Sequence, residues 1–172
     1  MPDHYQIENT EPDDLEFIFS LFDQSISYQQ KNGYPDWKNY DRSALRNDME
    51  NKNQYKIIID AETGIVFSVG YTDKLIWRGR DKGDAIYLHR IVVNPSCKGR
   101  KLFGAILDWA ICHVEQKGFD FIRMDTWAAN ENIIRYYESF GFAVVENYTT
   151  PNTTELPVQN RNLAMTLLEY KL

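Results

Sequence analysis

The chain has 172 residues, of which 43% are hydrophobic and 14% aromatic, so it is long enough to bury a core and too apolar for a disordered segment. We expect one domain over residues 1–172. The net charge of −6 argues against nucleic acid as a partner. No apolar run approaches the ~20 residues that span a bilayer, and the N-terminus is polar and acidic, unlike a signal peptide. We therefore expect no membrane partner and a cytoplasmic location.

The cysteines also narrow the possibilities. Cys97 and Cys112 are too few for a disulfide framework, and no paired Cys/His spacing of a metal site accompanies them. Both are expected to be free thiols, and no metal is expected.

Hydrophobic periodicity and turn residues predict an α/β chain of about seven strands and four helices, with strands clustered early and late. The predicted strands cover residues 4–8, 55–60, 65–71, 85–93, 119–126, 142–148 and 162–172. The first helix is expected to follow Thr10 as its N-cap and to end near Gly33, and the second to run from the cap Asp41 to about Lys52. The other two cover residues 102–117 and 130–140.

Three connections bear on function. Residues 61–64 are predicted to link two strands of a hairpin, and residues 149–160 form a proline-containing loop. Residues 73–84 are charged, contain two glycines and are predicted to form a mobile loop. Trp77 within that segment is a candidate for an exposed aromatic that contacts a substrate, although it could also tuck inward.

The stretch from Asp84 to Leu107 concentrates the chemistry. An apolar strand ends at Asn94-Pro95, a turn with three cations follows, and a helix begins at once. The first turn of a helix has unpaired N–H groups and the positive end of the dipole, so this junction suits an anion such as a phosphate, although a basic turn is often only a solvated loop. A Walker loop is excluded because Ala105 and Ile106 occupy the required Lys and Ser/Thr positions, and no G-x-G-x-x-G is present.

Two motifs in this order resemble the GNAT superfamily of acetyl-CoA-dependent N-acetyltransferases over nearly the whole chain. The first is Ile91-Val92-Val93-Asn94-Pro95 followed by residues 98–103. The second is an Asn followed seven residues later by Tyr and closed by Gly-Phe: Asn130, Tyr137, Gly141 and Phe142.

The resemblance implies a mixed, mostly antiparallel sheet with helices on both faces, and acetyl-CoA as co-substrate. It implies direct transfer of an acetyl group, in a ternary complex, to a primary amine of a small molecule or peptide. The coenzyme-binding residues that it implies are Ile91, Val92, Val93, Lys98, Gly99, Arg100, Lys101, Leu102, Phe103, Gly104, Asn130 and Tyr137.

Three positions depart from the family pattern. The family usually has Gln or Arg at Lys98, Gly at Lys101, and Gly or Ala at Phe103. A lysine at a glycine position narrows the approach to a diphosphate, unless its φ is negative and its amine reaches the phosphate. Phe103 must turn into the interface between helix and sheet.

The resemblance also supplies candidate catalytic residues. Tyr137 corresponds to the family's general acid, and its alternative is a packing role in an aromatic cluster. Asn130 could cap a helix, bind the coenzyme, or do both. Asp125 and His89 are candidates for the general base. Asp125 could instead pair with Arg123 or a backbone amide, His89 could be a buried core histidine, and solvent could accept the proton.

The acceptor is not readable from the sequence. Tyr34, Trp37 and Trp77 are candidate substrate-binding residues on the loops expected to line the cleft. An exposed edge strand near the C-terminus could support a homodimer. A second function is open: a non-catalytic module that binds an acyl-CoA or a peptide as a sensor, which Lys101 and Phe103 favour.

Overall fold

A seven-stranded sheet with strand order β1-β2-β3-β4-β5-β7-β6 organises the computed structural model, which describes residues 5–34 and 40–172. The strands are β1 Tyr5–Asn9, β2 Gln54–Ile59, β3 Glu62–Gly70, β4 Ala85–Val93, β5 Phe121–Trp127, β6 Ala143–Thr149 and β7 Ala164–Lys171. The helices are α1 Leu15–Lys31, α2 Arg42–Glu50, α3 Lys74–Trp77, α4 Phe103–Lys117 and α5 Glu131–Glu138. The predicted mixed, mostly antiparallel sheet is confirmed, since β4 and β5 pair in parallel and the other neighbours are antiparallel.

Helices cover both faces of the sheet, as predicted. On one face α4 packs on Phe67, Ile86 and Ile122 of the central strands. On the other face α1 and α2 pack on Val66 and Val92. Within the described ranges no helix is both long and apolar enough to cross a bilayer.

Two local predictions near the N-terminus are wrong. Thr10 does not cap a helix: it is fully buried, and its Oγ1 donates a hydrogen bond to Gln54 Oε1 at 2.9 Å. The chain instead enters α1 through a 3₁₀ turn at Pro12–Asp14. The hairpin connection is also shorter than residues 61–64, because Asp60 and Ala61 have φ angles of 52° and 64° and form a two-residue turn directly before β3.

The segment 73–84 is not a simple loop. Asp73 Oδ1 accepts the N–H of Ile76 at 3.3 Å and caps α3, and a 3₁₀ turn at Arg78–Arg80 follows. Trp77 is fully buried, with its ring 5.8 Å from that of Tyr87. The prediction of an exposed Trp77 that binds substrate is therefore wrong, because core packing outweighs the charged composition of the segment.

The two sheet edges are β1 and β6. The C-terminal strand β7 lies between β5 and β6, so the edge near the C-terminus is β6 and not the last strand. Arg78 and Arg80 tie the turn after α3 to this edge through Glu146.

The central parallel pair separates part of the way along its length. β4 and β5 are paired only from Ala85–Phe121 to Tyr87–Arg123, although both strands continue beyond. β5 stays paired with β7 up to Trp127. In β4, Arg90 has a φ of 51° at a register shift against β3, which bends the strand as a β-bulge does. A gap between β4 and β5 follows, and we call it the β4–β5 gap.

Arg123 closes the narrow end of this gap with a buried ion-pair network. Its side chain is 5% exposed and contacts Asp84 Oδ1 at 2.9 Å and Glu169 Oε2 at 2.8 Å. It also donates to Tyr87 Oη at 3.2 Å. Three elements, β4, β5 and β7, therefore share one cation.

We predict that Arg123→Met destabilises the protein by about 3–5 kcal/mol, because Asp84 and Glu169 would stay partly buried without their cation. Arg135→Met is the matched control, since Arg135 and Glu131 form an i,i+4 pair with side chains 75% and 77% exposed; it should cost less than about 0.5 kcal/mol. Urea unfolding of both variants measures the difference. Equal losses would contradict a special role for the Arg123 network.

Candidate active site

The basic turn at the start of α4 leaves backbone donors unpaired. Asn94 anchors it, donating from its backbone N–H to Gly64 O and from Nδ2 to Thr63 O, both at 2.8 Å. Gly99 and Lys101 have φ angles of 88° and 54°, so the chain turns twice through the left-handed region. Four backbone N–H groups of this turn have no hydrogen-bond partner among the described residues: those of Gly99, Lys101, Leu102 and Phe103. Such a run of free amides suits an anion.

The three cations of this turn differ in their surroundings. Arg100 Nη1 lies 2.6 Å from Asp60 Oδ2 on the hairpin turn. Lys98 Nζ lies 4.3 Å from the ring centroid of Tyr28 on α1. Lys101 is exposed, and no ion pair involves it within the described ranges. A lysine would fit this glycine-like position without strain only at a negative φ, and the φ of Lys101 is positive.

Phe103 turns into the interface between helix and sheet, as predicted. It is 3% exposed, and its ring lies 4.8 Å from Tyr137 and 5.1 Å from Phe140. Leu102 is equally buried. Both residues therefore offer only their backbone N–H groups to a ligand.

The gap-facing edge of β4 carries further donors. Because Asn94 donates to β3 and N–H groups alternate along a strand, the N–H of Val93 points away from β3, towards the β4–β5 gap. The N–H of Val92 points towards β3, and its side chain is buried under α1 and α2. Of these two valines, Val93 is the one placed to donate to a ligand in the gap.

Tyr137 lies on α5 beside the start of α4. It is 8% exposed and contacts Phe103, Tyr136 and Phe142. Its hydroxyl has no hydrogen-bond partner among the described residues, which a purely structural buried tyrosine would be expected to have. Burial, reinforced by Tyr136 and Asp125, holds the pKa of Tyr137 well above its ordinary value, so the phenol stays protonated. Asn130 caps α5, its Oδ1 accepting the N–H of Ile133 at 3.2 Å.

Three titratable side chains meet next to the narrow end of the β4–β5 gap, two residues beyond the last paired residues of β4 and β5. One potential ligand atom each of Asp73, His89 and Asp125 lies within 4.8 Å of the other two. His89 Nε2 is 3.7 Å from Asp73 Oδ2, and these side chains are 23% and 13% exposed. We call this group the Asp73–His89–Asp125 cluster. Arg123 pairs with Asp84 and Glu169, so the alternative of an Asp125–Arg123 ion pair is not supported.

Burial controls the protonation of the cluster. It raises the pKa of Asp125 to about 7, with the Asp73 carboxylate adding to the effect and the Arg90 guanidinium opposing it. Burial also raises the pKa of Asp73 to about 6. Burial and Arg90 lower the pKa of His89 to about 3. Near neutral pH the imidazole is therefore neutral, and Asp125 titrates in the physiological range.

Neighbouring residues position the cluster. Asp81 Oδ2 accepts hydrogen bonds from Thr72 Oγ1 at 2.6 Å and from the Asp73 N–H at 2.8 Å, which fixes the start of α3. A Cβ at Gly70 would lie 3.3 Å from His89 Nε2, so the absence of a side chain there makes room for the imidazole. Arg90 extends towards α2, with Nη2 3.2 Å from Asp48 Oδ2.

The predicted acceptor residues do not form one group in the structure. Tyr34 is half-buried just after α1, Trp77 is buried in the core, and Trp37 lies outside the described residues. Asp73 was not identified from the sequence, although an Asp before Lys-Leu-Ile-Trp is an N-cap pattern that could have indicated a helix there.

The fold and this site place the chain in a known class of acyl-transfer proteins. Residues 18–142 match the acetyltransferase (GNAT) family, and the chain belongs to that family. The chain is 31% identical over 84 residues to mycothiol acetyltransferase from Propionibacterium freudenreichii subsp. shermanii. That match covers 49% of this chain and 26% of the relative, so the chain aligns with about a quarter of the relative's length.

Solved structures show the same fold. A GNAT-family acetyltransferase from Listeria monocytogenes 4b F2365 aligns with a TM-score of 0.78 and 18% identity, covering 98% of this chain and 95% of that one. One from Streptococcus agalactiae 2603 gives 0.71 and 16%, covering 100% and 98%. The yncA structure from Salmonella typhimurium, solved with its cofactor acetyl-CoA, gives 0.67 and 16%, covering 99% and 95%.

The raised pKa of Asp125 yields a stability prediction. The native state binds this proton more tightly than the unfolded chain, so stability is lost as the pH rises from about 4 to about 7. Asp125→Asn should remove that loss and raise the free energy of unfolding by roughly 1–3 kcal/mol at pH 8, with no difference near pH 4. Urea unfolding at the two pH values measures it.

Asp108→Asn is the control, because Asp108 is an exposed aspartate on α4 and its replacement should change stability by less than about 0.5 kcal/mol. A destabilised Asp125→Asn protein at pH 8 would contradict the assignment of Asp125 as a buried carboxylate without a compensating partner.

Proposed function

We propose that the protein transfers an acetyl group from acetyl-CoA to a primary amine of a small molecule or peptide, directly within a ternary complex. The observation that carries this proposal is the β4–β5 gap, which has the free amides of the basic turn beside its wide end and the Asp73–His89–Asp125 cluster next to its narrow end. One end suits a diphosphate and the other suits an amine that must lose a proton.

The coenzyme would lie along β4 with its diphosphate against the N–H groups of Gly99, Lys101, Leu102 and Phe103. Helix-terminal amides bind phosphate oxygens without needing a paired cation, although Lys101 adds local positive charge. The Val93 N–H would donate to a pantetheine amide or to the thioester oxygen. A donor fixed at that oxygen stabilises the negative charge that grows there as the amine attacks.

The Asp73–His89–Asp125 cluster would accept the amine proton. The amine attacks the thioester carbonyl, forming a C–N bond and breaking the C–S bond, and the nitrogen loses one proton. Neutral His89 and ionised Asp125 are both able to take it, directly or through one water. Because Asp125 titrates near pH 7, it matches the Brønsted requirement for a base that works close to neutrality.

Tyr137 would assist the leaving thiolate. Its protonated phenol has no other hydrogen-bond partner among the described residues, so it can donate to the sulfur as negative charge develops. The raised pKa makes Tyr137 a weak acid, so we assign it a hydrogen bond that stabilises the thiolate. The phenol proton moves to the sulfur only as the thiol leaves.

Calorimetry with coenzyme A and with pantetheine tests the diphosphate site. We expect coenzyme A to bind at least ten times more tightly, because pantetheine lacks the groups that the free amides would hold. The difference should shrink only modestly with added salt, since amides and not ion pairs supply most of the contact. Equal affinities would show that the basic turn does not bind the diphosphate.

The role of Tyr137 is tested by steady-state release of coenzyme A thiol. Tyr137→Phe should lower kcat by about 10–100-fold while leaving the dissociation constant for coenzyme A within about two-fold. Tyr136→Phe is the matched control: it removes the neighbouring phenol and should leave kcat within about two-fold. An unchanged kcat in Tyr137→Phe would remove this phenol from the mechanism.

Lys101 in a left-handed conformation gives some support to the alternative of a non-catalytic acyl-CoA or peptide sensor, because it narrows the diphosphate site. The buried Phe103 does not, since its ring lies away from the turn. A panel of primary amines, amino acids and peptides assayed with acetyl-CoA separates the two functions. Binding of acetyl-CoA without acetylation of any amine would support the sensor.

A further inference from the structure

We propose that the Asp73–His89–Asp125 cluster is a binding site for a divalent transition-metal ion of the Zn²⁺ type, completed by the hydroxyl of Ser68 or by water. The three residues are separated by 16 and 36 positions in the chain and lie at the N-cap of α3, on β4 and on β5. Their spacing in sequence therefore gives no metal motif, and the fold alone brings them together.

The distances fit a small ion. Bonds from zinc to imidazole nitrogen or carboxylate oxygen are about 2.0–2.2 Å, so two ligand atoms at a tetrahedral angle on one ion are about 3.3–3.6 Å apart. The three atoms of the cluster lie within 4.8 Å of one another, and the His89–Asp73 distance is 3.7 Å. The His89–Asp73 pair is therefore close to that spacing already, and side-chain movements of up to about 1 Å bring all three atoms into range. One imidazole with two carboxylates is a donor set that zinc accepts.

Ser68 provides a second, independent observation. Its side chain is 2% exposed, and its Oγ has no hydrogen-bond partner among the described residues. Ser68 is the cross-strand partner of His89, and directly opposed residues of an antiparallel pair project from the same face. An orphaned buried hydroxyl costs roughly 1–3 kcal/mol, and a bound ion or its water would satisfy it.

The charge of the cluster also favours a cation. Two carboxylates approach each other in a half-buried place, and the nearest guanidinium, that of Arg90, is held by Asp48 at 3.2 Å. An imidazole nitrogen of His89 provides a lone pair for the ion, as in most zinc sites. A divalent ion would neutralise the carboxylates without requiring a proton on either.

Metal binding would also affect the proposed function. Of the results expected for this site, only the inhibition of acetylation rests on the proposed function. An ion coordinated by His89 and Asp125 occupies the lone pairs that would accept the amine proton. Zn²⁺ should then inhibit acetylation in competition with the acceptor amine and leave coenzyme A binding unchanged.

Calorimetric titration with ZnCl₂, using full-length protein that carries Cys112→Ser to remove the exposed thiol, tests the site. We expect one ion per chain. Asp73→Asn and His89→Gln should each weaken binding at least ten-fold, and Ser68→Ala by less. His113→Gln is the matched control, because His113 lies on α4 and its Nε2 is hydrogen-bonded to Tyr71 Oη at 2.9 Å. This variant should bind Zn²⁺ like the parent protein.

Co²⁺ provides a readout that does not depend on activity or on heat. A visible absorption band that appears on titration with Co²⁺, and is lost in His89→Gln, reports coordination by that imidazole. Thermal melts establish that each variant is folded. The proposal is overturned if the folded parent protein binds neither Zn²⁺ nor Co²⁺. It is also overturned if both cluster variants still bind the ion and His113→Gln does not. Either result leaves the coenzyme A measurements intact.

Discussion

The separation of β4 from β5 is the feature on which the rest of the molecule depends. β5 is held along its whole length by β7, while β4 is held by β3 and bends at Arg90, so neither strand can close the gap without losing pairing on its other side. Backbone groups along the gap are left without a strand partner, and a buried unpaired amide is costly. The gap therefore offers hydrogen-bonding groups to an extended ligand of the kind proposed above.

The two ends of the gap differ in the chemistry they offer. The start of α4, beside the wide end, offers N–H groups and local positive charge, and the cluster next to the narrow end offers carboxylates and a neutral imidazole. A molecule with an anionic head and a reactive tail would be oriented by this difference, with its tail towards the groups that can accept a proton. This orientation is the one that the proposed acetyl transfer requires.

Much of this was predictable because the signals are local. The cap at Asp41, the glycine after α1 and the apolar run of β4 each depend on neighbours in sequence, and the structure confirms them. Trp77 and Thr10 were misassigned because distant strands bury them, and burial by tertiary contacts overrides local composition. Asp73 was missed for a related reason: residues 73, 89 and 125 come together only through the antiparallel pairing of β3 with β4 and the parallel pairing of β4 with β5.

The face of the sheet that carries the cluster contains two groups of acidic residues, and the two groups differ in their cation partners. Near the narrow end of the gap, Asp84 and Glu169 share the buried guanidinium of Arg123. Two residues further along each strand, Asp125 and His89 meet Asp73, and no Lys or Arg of residues 5–34 and 40–172 forms an ion pair with either aspartate. Since folding alone would favour a partner in both places, the lack of a paired cation for the cluster among the described residues is a stability cost, and such costs concentrate where a protein binds or transforms a ligand. The contrast between the two groups is a physical argument for the proposed role of the cluster that does not depend on the family.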